Sequence, residues 1–199
     1  MTMRSLFTTP LYEASLGKPA LLIALAHMAR TLAQDDRAGR AWSRTHRYRG
    51  YTSYASLDDM PRRDPDVAAL VRILDKHVAA FAVECAFDLD RRLKLDSLWV
   101  NILKPGGTHS GHIHPQSVVS GTIYIEVPTG SGGLRFEDPR LPMMMAAPTR
   151  RDDAPVERHP FVTVDPEPGT ILLWESWLRH EVEANGAKSE RISISFNYG

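Results

Sequence analysis

The chain has 199 residues, with 24 Lys+Arg against 24 Asp+Glu, eight histidines and one cysteine. That length favours one domain, 1–199, large enough to hold a core without a disulfide or a structural metal. The balanced charge excludes a generic nucleic-acid or anionic-membrane binder, and the lone Cys85 excludes a disulfide framework and Cys-rich zinc sites.

A lone cysteine fits a reducing, cytoplasmic setting. The longest apolar run, Pro19 to Met28, is too short to span a bilayer and is broken by His27. Pro19 suits the first position of an ordinary helix, so the run is not read as a secretion signal. Leu21, Leu22, Leu25, Met28, Ala29 and Leu32 recur at steps of three and four and predict a helix over 18–35. Residues 37–63, rich in Arg, Tyr, Ser and Asp, are expected to be irregular. Asp64-Pro65 is a cap followed by proline at the first helical position, and Leu70, Ile73, Leu74, His77, Val78 and Phe81 form the stripe of a second helix to about Phe87. Met28 and Phe81 belong to the core on this reading.

From Arg92 the period changes to that of strands, expected at 95–103, 118–128, 132–138, 160–165, 169–175, 178–184 and 190–198. Residues 139–160 are expected to be a long loop, of the kind that is usually functional or disordered. The expected fold is therefore mainly β: a sandwich or jelly roll formed by 92–199, with two helices from a mainly helical and irregular 1–91 packed on one sheet.

The segment Gly106 to Tyr124 holds His109, His112 and His114. His112-x-His114 at the start of a strand puts two imidazoles on one face, where they can take adjacent positions on one metal such as Fe, Zn, Cu or Ni. His109 is a weaker candidate. A third ligand is needed, and His180 supplies it by following an apolar strand and opening another. If Asn185-Gly186 makes a two-residue hairpin turn, His180 lies directly opposite Arg191. The last strand alternates: Ile192, Ile194 and Phe196 face one way, Arg191, Ser193, Ser195 and Asn197 the other. An inward arginine with a serine two residues on can clamp a carboxylate, the guanidinium bidentately and the hydroxyl by one further bond.

These residues resemble the 2-oxoglutarate/Fe(II)-dependent oxygenases, and most closely a small bacterial group with an H-x-H-P-x-S…S-G-x-x-Y signature. That signature stands here as His112, His114, Pro115, Ser117, Ser120, Gly121 and Tyr124. The likeness runs over about 97–198, and Leu6 to Tyr12 and Gly50 to Ser53 share it. It implies a double-stranded β-helix, the jelly roll, backed by helices. It also implies Fe(II) and 2-oxoglutarate as cofactor and cosubstrate, with hydroxylation of a substrate C–H and release of succinate and CO2. His112 and His180 match the family's metal histidines. His114 stands where the family normally has Asp or Glu, which makes the native metal less secure. Arg191 and Ser193 match the R-x-S that receives the distal carboxylate of 2-oxoglutarate. Tyr124 matches a tyrosine on that same carboxylate in prolyl-hydroxylase-like members, and Asn101 is a weaker cosubstrate contact.

Two other readings compete. A cupin-like three-histidine metalloenzyme, a thiol dioxygenase or isomerase, matches Gly106 and His112-x-His114 but lacks the following glutamate and gives Arg191 no task. A non-enzymatic jelly-roll domain would use the polar face for another carboxylate. Glu137 and Asp138 are weak candidates for a carboxylate ligand. The arginines 37–49 interleaved with Trp42, Tyr48, Tyr51 and Tyr54 resemble a basic-aromatic strip, but nearby aspartates favour a solvated or intramolecular role. The expected partner is a small-molecule or peptide substrate, approached through 139–160 and Tyr51 to Tyr54, with no nucleic acid and no membrane; a homodimer is left open.

Overall fold

A computed structural model of the chain describes residues 2–199. A short strand β1 (Tyr12–Ser15) leads into α1 (Pro19–Asp35), which starts at the proline and buries Leu25, Ala26 and Ala29. Segment 37–63 departs from its expected irregularity: it holds α2 (Arg37–Thr45), β2 (Gly50–Thr52) and α3 (Met60–Arg63). Asp36 ends α1 and caps α2, its carboxylate accepting the Gly39 N–H at 2.9 Å. The residues α2 buries are Gly39 and Ser43, so no apolar stripe announces it. A Cβ at Gly39 would meet the Asp36 carboxylate and the Thr52 carbonyl, so the helix packs close because its contact residue is the smallest one.

Helix α4 (Pro65–Glu84) has the expected cap, with the Asp64 side chain accepting from Asp66 and Val67 N–H at 2.9 and 3.0 Å. It buries Val67, Leu70, Leu74, Val78 and Phe81. Truncating one of its leucines, such as fully buried Leu74, to alanine costs roughly 2–5 kcal/mol.

Strands β3 (Leu95–Leu103), β4 (His109–His112), β5 (Val119–Glu126), β6 (Leu134–Glu137), β7 (Phe161–Val164), β8 (Thr170–Glu175), β9 (His180–Val182) and β10 (Arg191–Tyr198) follow. They form two antiparallel sheets, a major one ordered β1-β8-β5-β10-β3-β2 and a minor one ordered β4-β9-β6-β7. This is the jelly roll. One face of the major sheet, with Val100, Ile123, Ile171, Ile192, Ile194 and Phe196, shares a core with α1 and α4. The other face looks toward the minor sheet. Gly121 belongs to the helix-side packing, because a Cβ there would meet the Phe196 ring at 2.4 Å and Leu173 at 2.6 Å.

The expected pairing of His180 with Arg191 is corrected. β9 pairs with β4 and β6, whereas β10 pairs with β3 and β5, so the two residues lie in different sheets. The Asn-Gly pair anchors a crossing between sheets instead of turning a hairpin. Asn185 is buried, and its side-chain amide donates to the Leu103 and Ser189 carbonyls at 2.9 and 3.0 Å. Loop 139–160 carries two short 3-10 turns. Among the described residues no helix is long and apolar enough to cross a membrane.

Candidate metal centre

His112 is the last residue of β4 and His180 the first of β9, and the antiparallel pairing sets them directly opposite each other. His114 lies beyond the end of β4, not on it, in a turn held by its N–H to the Ser176 carbonyl at 3.0 Å. One nitrogen from each of the three can be chosen so that all lie within 4.8 Å of one another. Ring centroids of His112 and His180 are 4.4 Å apart, and those of His114 and His180 5.2 Å. His109 lies outside this cluster and stacks on His112 at 4.4 Å. Glu137 and Asp138 are also outside it, bound to Arg179 and Arg140.

Burial keeps these histidines neutral. It pushes His180 down to about 3 and His114 to about 4, with the neighbouring His112 adding a smaller effect in the same direction. His109 is likewise lowered to about 4 and His112 is lowered, burial being the largest cause for both. Neutral imidazole is the form that binds a metal. The His180 Nδ1 lies 2.9 Å from the Leu178 carbonyl and the His112 Nδ1 2.7 Å from that of Ser110. A carbonyl only accepts, so each Nδ1 carries the proton and each Nε2 keeps a free lone pair.

His114 is placed differently. Its Nδ1 is 3.4 Å from Asn197 Nδ2. Asn197 also accepts from Ser120 Oγ at 2.8 Å and donates to Ser97 Oγ at 3.1 Å. Turning the amide over preserves both serine contacts, since a hydroxyl donates or accepts. It also presents Oδ1 to an Nδ1–H, which frees His114 Nε2. Metal binding through His114 Nε2 is therefore coupled to the orientation of the Asn197 amide.

The inner face of the major sheet forms the floor in rows across β3, β10 and β5. Asn101, Ser193 and Tyr124 make one row, and Ser97, Asn197 and Ser120 another, next to Trp174 of β8. Arg191, at the start of β10, lines the same cavity of about 40 Å³ as the three histidines. Its Nη1 donates to the Gly132 carbonyl at 2.6 Å, and its guanidinium carbon is 5.6 Å from the Tyr124 ring centre. Gly132 itself packs against the backbone after β9, where a Cβ would meet the carbonyls of Glu183 and Ala184 at 2.5 Å. Arg191 Nε and Trp174 Nε1 are buried donors without a partner, a costly state unless an acceptor is brought to them. Burial pushes Tyr124 and Tyr48 up to about 12, so both phenols stay protonated donors.

Asn101 lines the cavity, but its amide is engaged: Thr52 Oγ1 donates to its Oδ1 at 2.9 Å and its Nδ2 donates to Ser195 Oγ at 3.2 Å. Tyr51 of the expected substrate segment is buried and donates to Asp36 at 2.8 Å, whereas Tyr54 is exposed, edge-on to Trp99. Sequence reasoning missed Trp174 as a site residue, since an indole on an apolar strand is indistinguishable from a core aromatic. It also missed Tyr48, which lines the cavity.

A family model described as "Putative 2OG-Fe(II) oxygenase" matches residues 97–197. No match is found among curated proteins. Similar solved structures include a Pseudomonas putida prolyl-4-hydroxylase, with TM-score 0.62 and 17% identity over 96% of this chain and 93% of that one. HygX from Streptomyces hygroscopicus, with nickel and 2-oxoglutarate bound, aligns with TM-score 0.63 and 14% identity over 96% and 83%. A viral collagen prolyl hydroxylase from Paramecium Bursaria Chlorella virus-1 aligns with TM-score 0.59 and 12% identity over 94% of each chain. These likenesses are of fold.

Proposed function

The chain belongs to the 2OG-Fe(II) oxygenase family, and from that premise we propose that it is a dioxygenase hydroxylating a substrate C–H, with His112, His114 and His180 holding Fe(II) and Arg191, Ser193 and Tyr124 receiving the distal carboxylate of 2-oxoglutarate. One observation carries the reading: three neutral imidazoles converge in a cavity that also presents a buried arginine with an unsatisfied Nε. When bound, iron and 2-oxoglutarate together supply dioxygen activation coupled to loss of CO2 and formation of succinate.

The residues' own work is binding and orientation. The Ser110 and Leu178 carbonyls fix the tautomers of His112 and His180. Gly132 and the Tyr124 ring hold the Arg191 guanidinium, so that a carboxylate meets a positioned cation. Tyr124 stays a donor because its phenol is too buried to ionise. Trp99, Trp174 and Leu134 line the cavity with apolar surface and limit water. His114 in place of a carboxylate leaves the metal with one more uncompensated positive charge, which favours the reduced ion.

The test is anaerobic. Fe(II) is added to metal-stripped protein, then 2-oxoglutarate, and the visible spectrum is recorded. A charge-transfer band that needs both, and that Arg191→Ala abolishes while metal binding persists, is the expected result. Metal binding without such a band overturns the reading in favour of a cupin-like three-histidine centre.

A further inference from the structure

The three-histidine cavity, at about 40 Å³, is far smaller than a site for a second organic molecule, which typically needs ~300–1,000 Å³. A second cavity of about 730 Å³ opens beside it, between the N-terminal segment around 4–11 and the loop around 137–160. The two share a partition. Phe136 lines the large cavity, is the cross-strand partner of His180, and has its ring 6.1 Å from that of His180. Leu178 also lines the large cavity, and its carbonyl holds the His180 Nδ1.

The chemistry of the lining is uneven. Leu141, Met144 and Phe136 supply apolar wall. Arg140 is neutralised by Asp138, and Glu137 by Arg179. Arg4, Arg150 and Arg158 line the cavity and take part in no salt bridge among the described residues, against a single unpaired acid there, Glu157. Guanidinium groups around an apolar chamber suit a carboxylate, sulfonate or phosphate carried on a hydrophobic body.

We propose that this cavity binds the primary substrate and that the substrate is an organic anion with an apolar body. The inference rests on the oxygenase reading for its catalytic meaning, but binding itself needs no iron. The probes are 8-anilinonaphthalene-1-sulfonate and its uncharged counterpart N-phenyl-1-naphthylamine, followed by fluorescence on metal-free protein. The sulfonate is expected to bind at least about tenfold more tightly, by a margin that shrinks with added salt. Arg150→Glu/Arg158→Glu is expected to erase that margin while leaving the uncharged probe within about twofold. Both arginines are exposed, so the double variant keeps the core intact. Equal binding of the two probes by the unaltered protein, or a sulfonate affinity untouched by the double reversal, overturns the proposal.

A second readout ties the cavity to the metal centre. With Mn(II) loaded, the bound sulfonate's proton resonances are expected to broaden relative to the Zn(II) form. Charge-selective binding without broadening places the probe away from the histidines and overturns the substrate assignment, leaving the oxygenase reading intact. Conversely, if neither Mn(II) nor Zn(II) binds and His180→Ala changes nothing in metal titration, the oxygenase reading fails while the charge-selective binding stands.

Discussion

His112 and His180 face each other directly across the β4–β9 ladder, with ring centroids 4.4 Å apart. Backbone pairing between two sequence-distant strands thus sets the separation of two proposed ligands, so the pair is built by the fold and not by either loop. His180→Ala is expected to weaken Zn(II) or Fe(II) binding by more than about a hundredfold, since one of three donors is lost and its buried place is left apolar. Isothermal titration with circular dichroism as a control for folding checks this. Unchanged affinity would remove His180 from the centre.

Acid should destabilise the metal-free protein. An unfolded histidine titrates near ~6.5, whereas burial holds His109 and His114 at about 4 and His180 at about 3 in the fold. As pH falls below about 6.5 the unfolded chain takes up protons that the folded chain refuses, so stability drops down to about 4 for His109 and His114 and on to about 3 for His180, and is flat above about 6.5 for these groups. Thermal unfolding at pH 7.5 and pH 5 measures the effect. A Tm that rises on acidification contradicts the neutral-histidine picture. Bound metal should steepen the fall, because protons then compete with it as well.

Tyr124→Phe keeps the ring against Arg191 and removes the buried hydroxyl. A hydrogen bond to a charged acceptor is worth ~1.5–3 kcal/mol, so 2-oxoglutarate should bind about 10–100-fold more weakly while metal affinity stays the same. Titration of the charge-transfer band reads both quantities. An unchanged 2-oxoglutarate affinity would leave the distal carboxylate to Arg191 and Ser193 alone.

Asn197→Ala deletes the amide that orients His114. Loss of a group behind a metal ligand typically costs about 10–100-fold in metal affinity, and the same is expected here. Asn197→Asp offers only oxygen acceptors, which favours the protonated Nδ1 and a free Nε2 on His114, and should restore binding. If alanine and aspartate behave alike, the amide has a packing role and not an orienting one.

The alternation of β10 was plain in the sequence because a period of two is unbroken from Arg191 to Asn197, with isoleucines and Phe196 on the helix side. The helices α1 and α4 were legible for the same reason at their own period. Helix α2 was not, because it is held by a shared aspartate cap and by glycine and serine at its contact, none of which makes a hydrophobic pattern. The hairpin drawn through Asn185-Gly186 failed because local turn chemistry says nothing about which sheet a strand joins. In a jelly roll the choice is made by long-range partners, here β4 and β6 for β9. His112 and His114 announced themselves by spacing, although the second is placed by a turn and not by strand geometry. Trp174 could not be distinguished from a core aromatic, since what marks it is an indole nitrogen with nothing to bind.

β8 reads Thr-Ile-Leu-Leu-Trp-Glu, a stretch with every quality of a self-associating strand, and its one flank is covered by only the four residues of β1. Tyr12 fastens that cover to α4 through its hydroxyl and His77 Nδ1 at 2.9 Å. The chain just before it, around 4–11, forms one wall of the large cavity. One continuous stretch, 4–15, thus lines the cavity and covers the flank of β8. A ligand that orders residues 4–11 is therefore expected to hold β1 over β8 as well, and the solubility of the protein with and without such a ligand measures that effect.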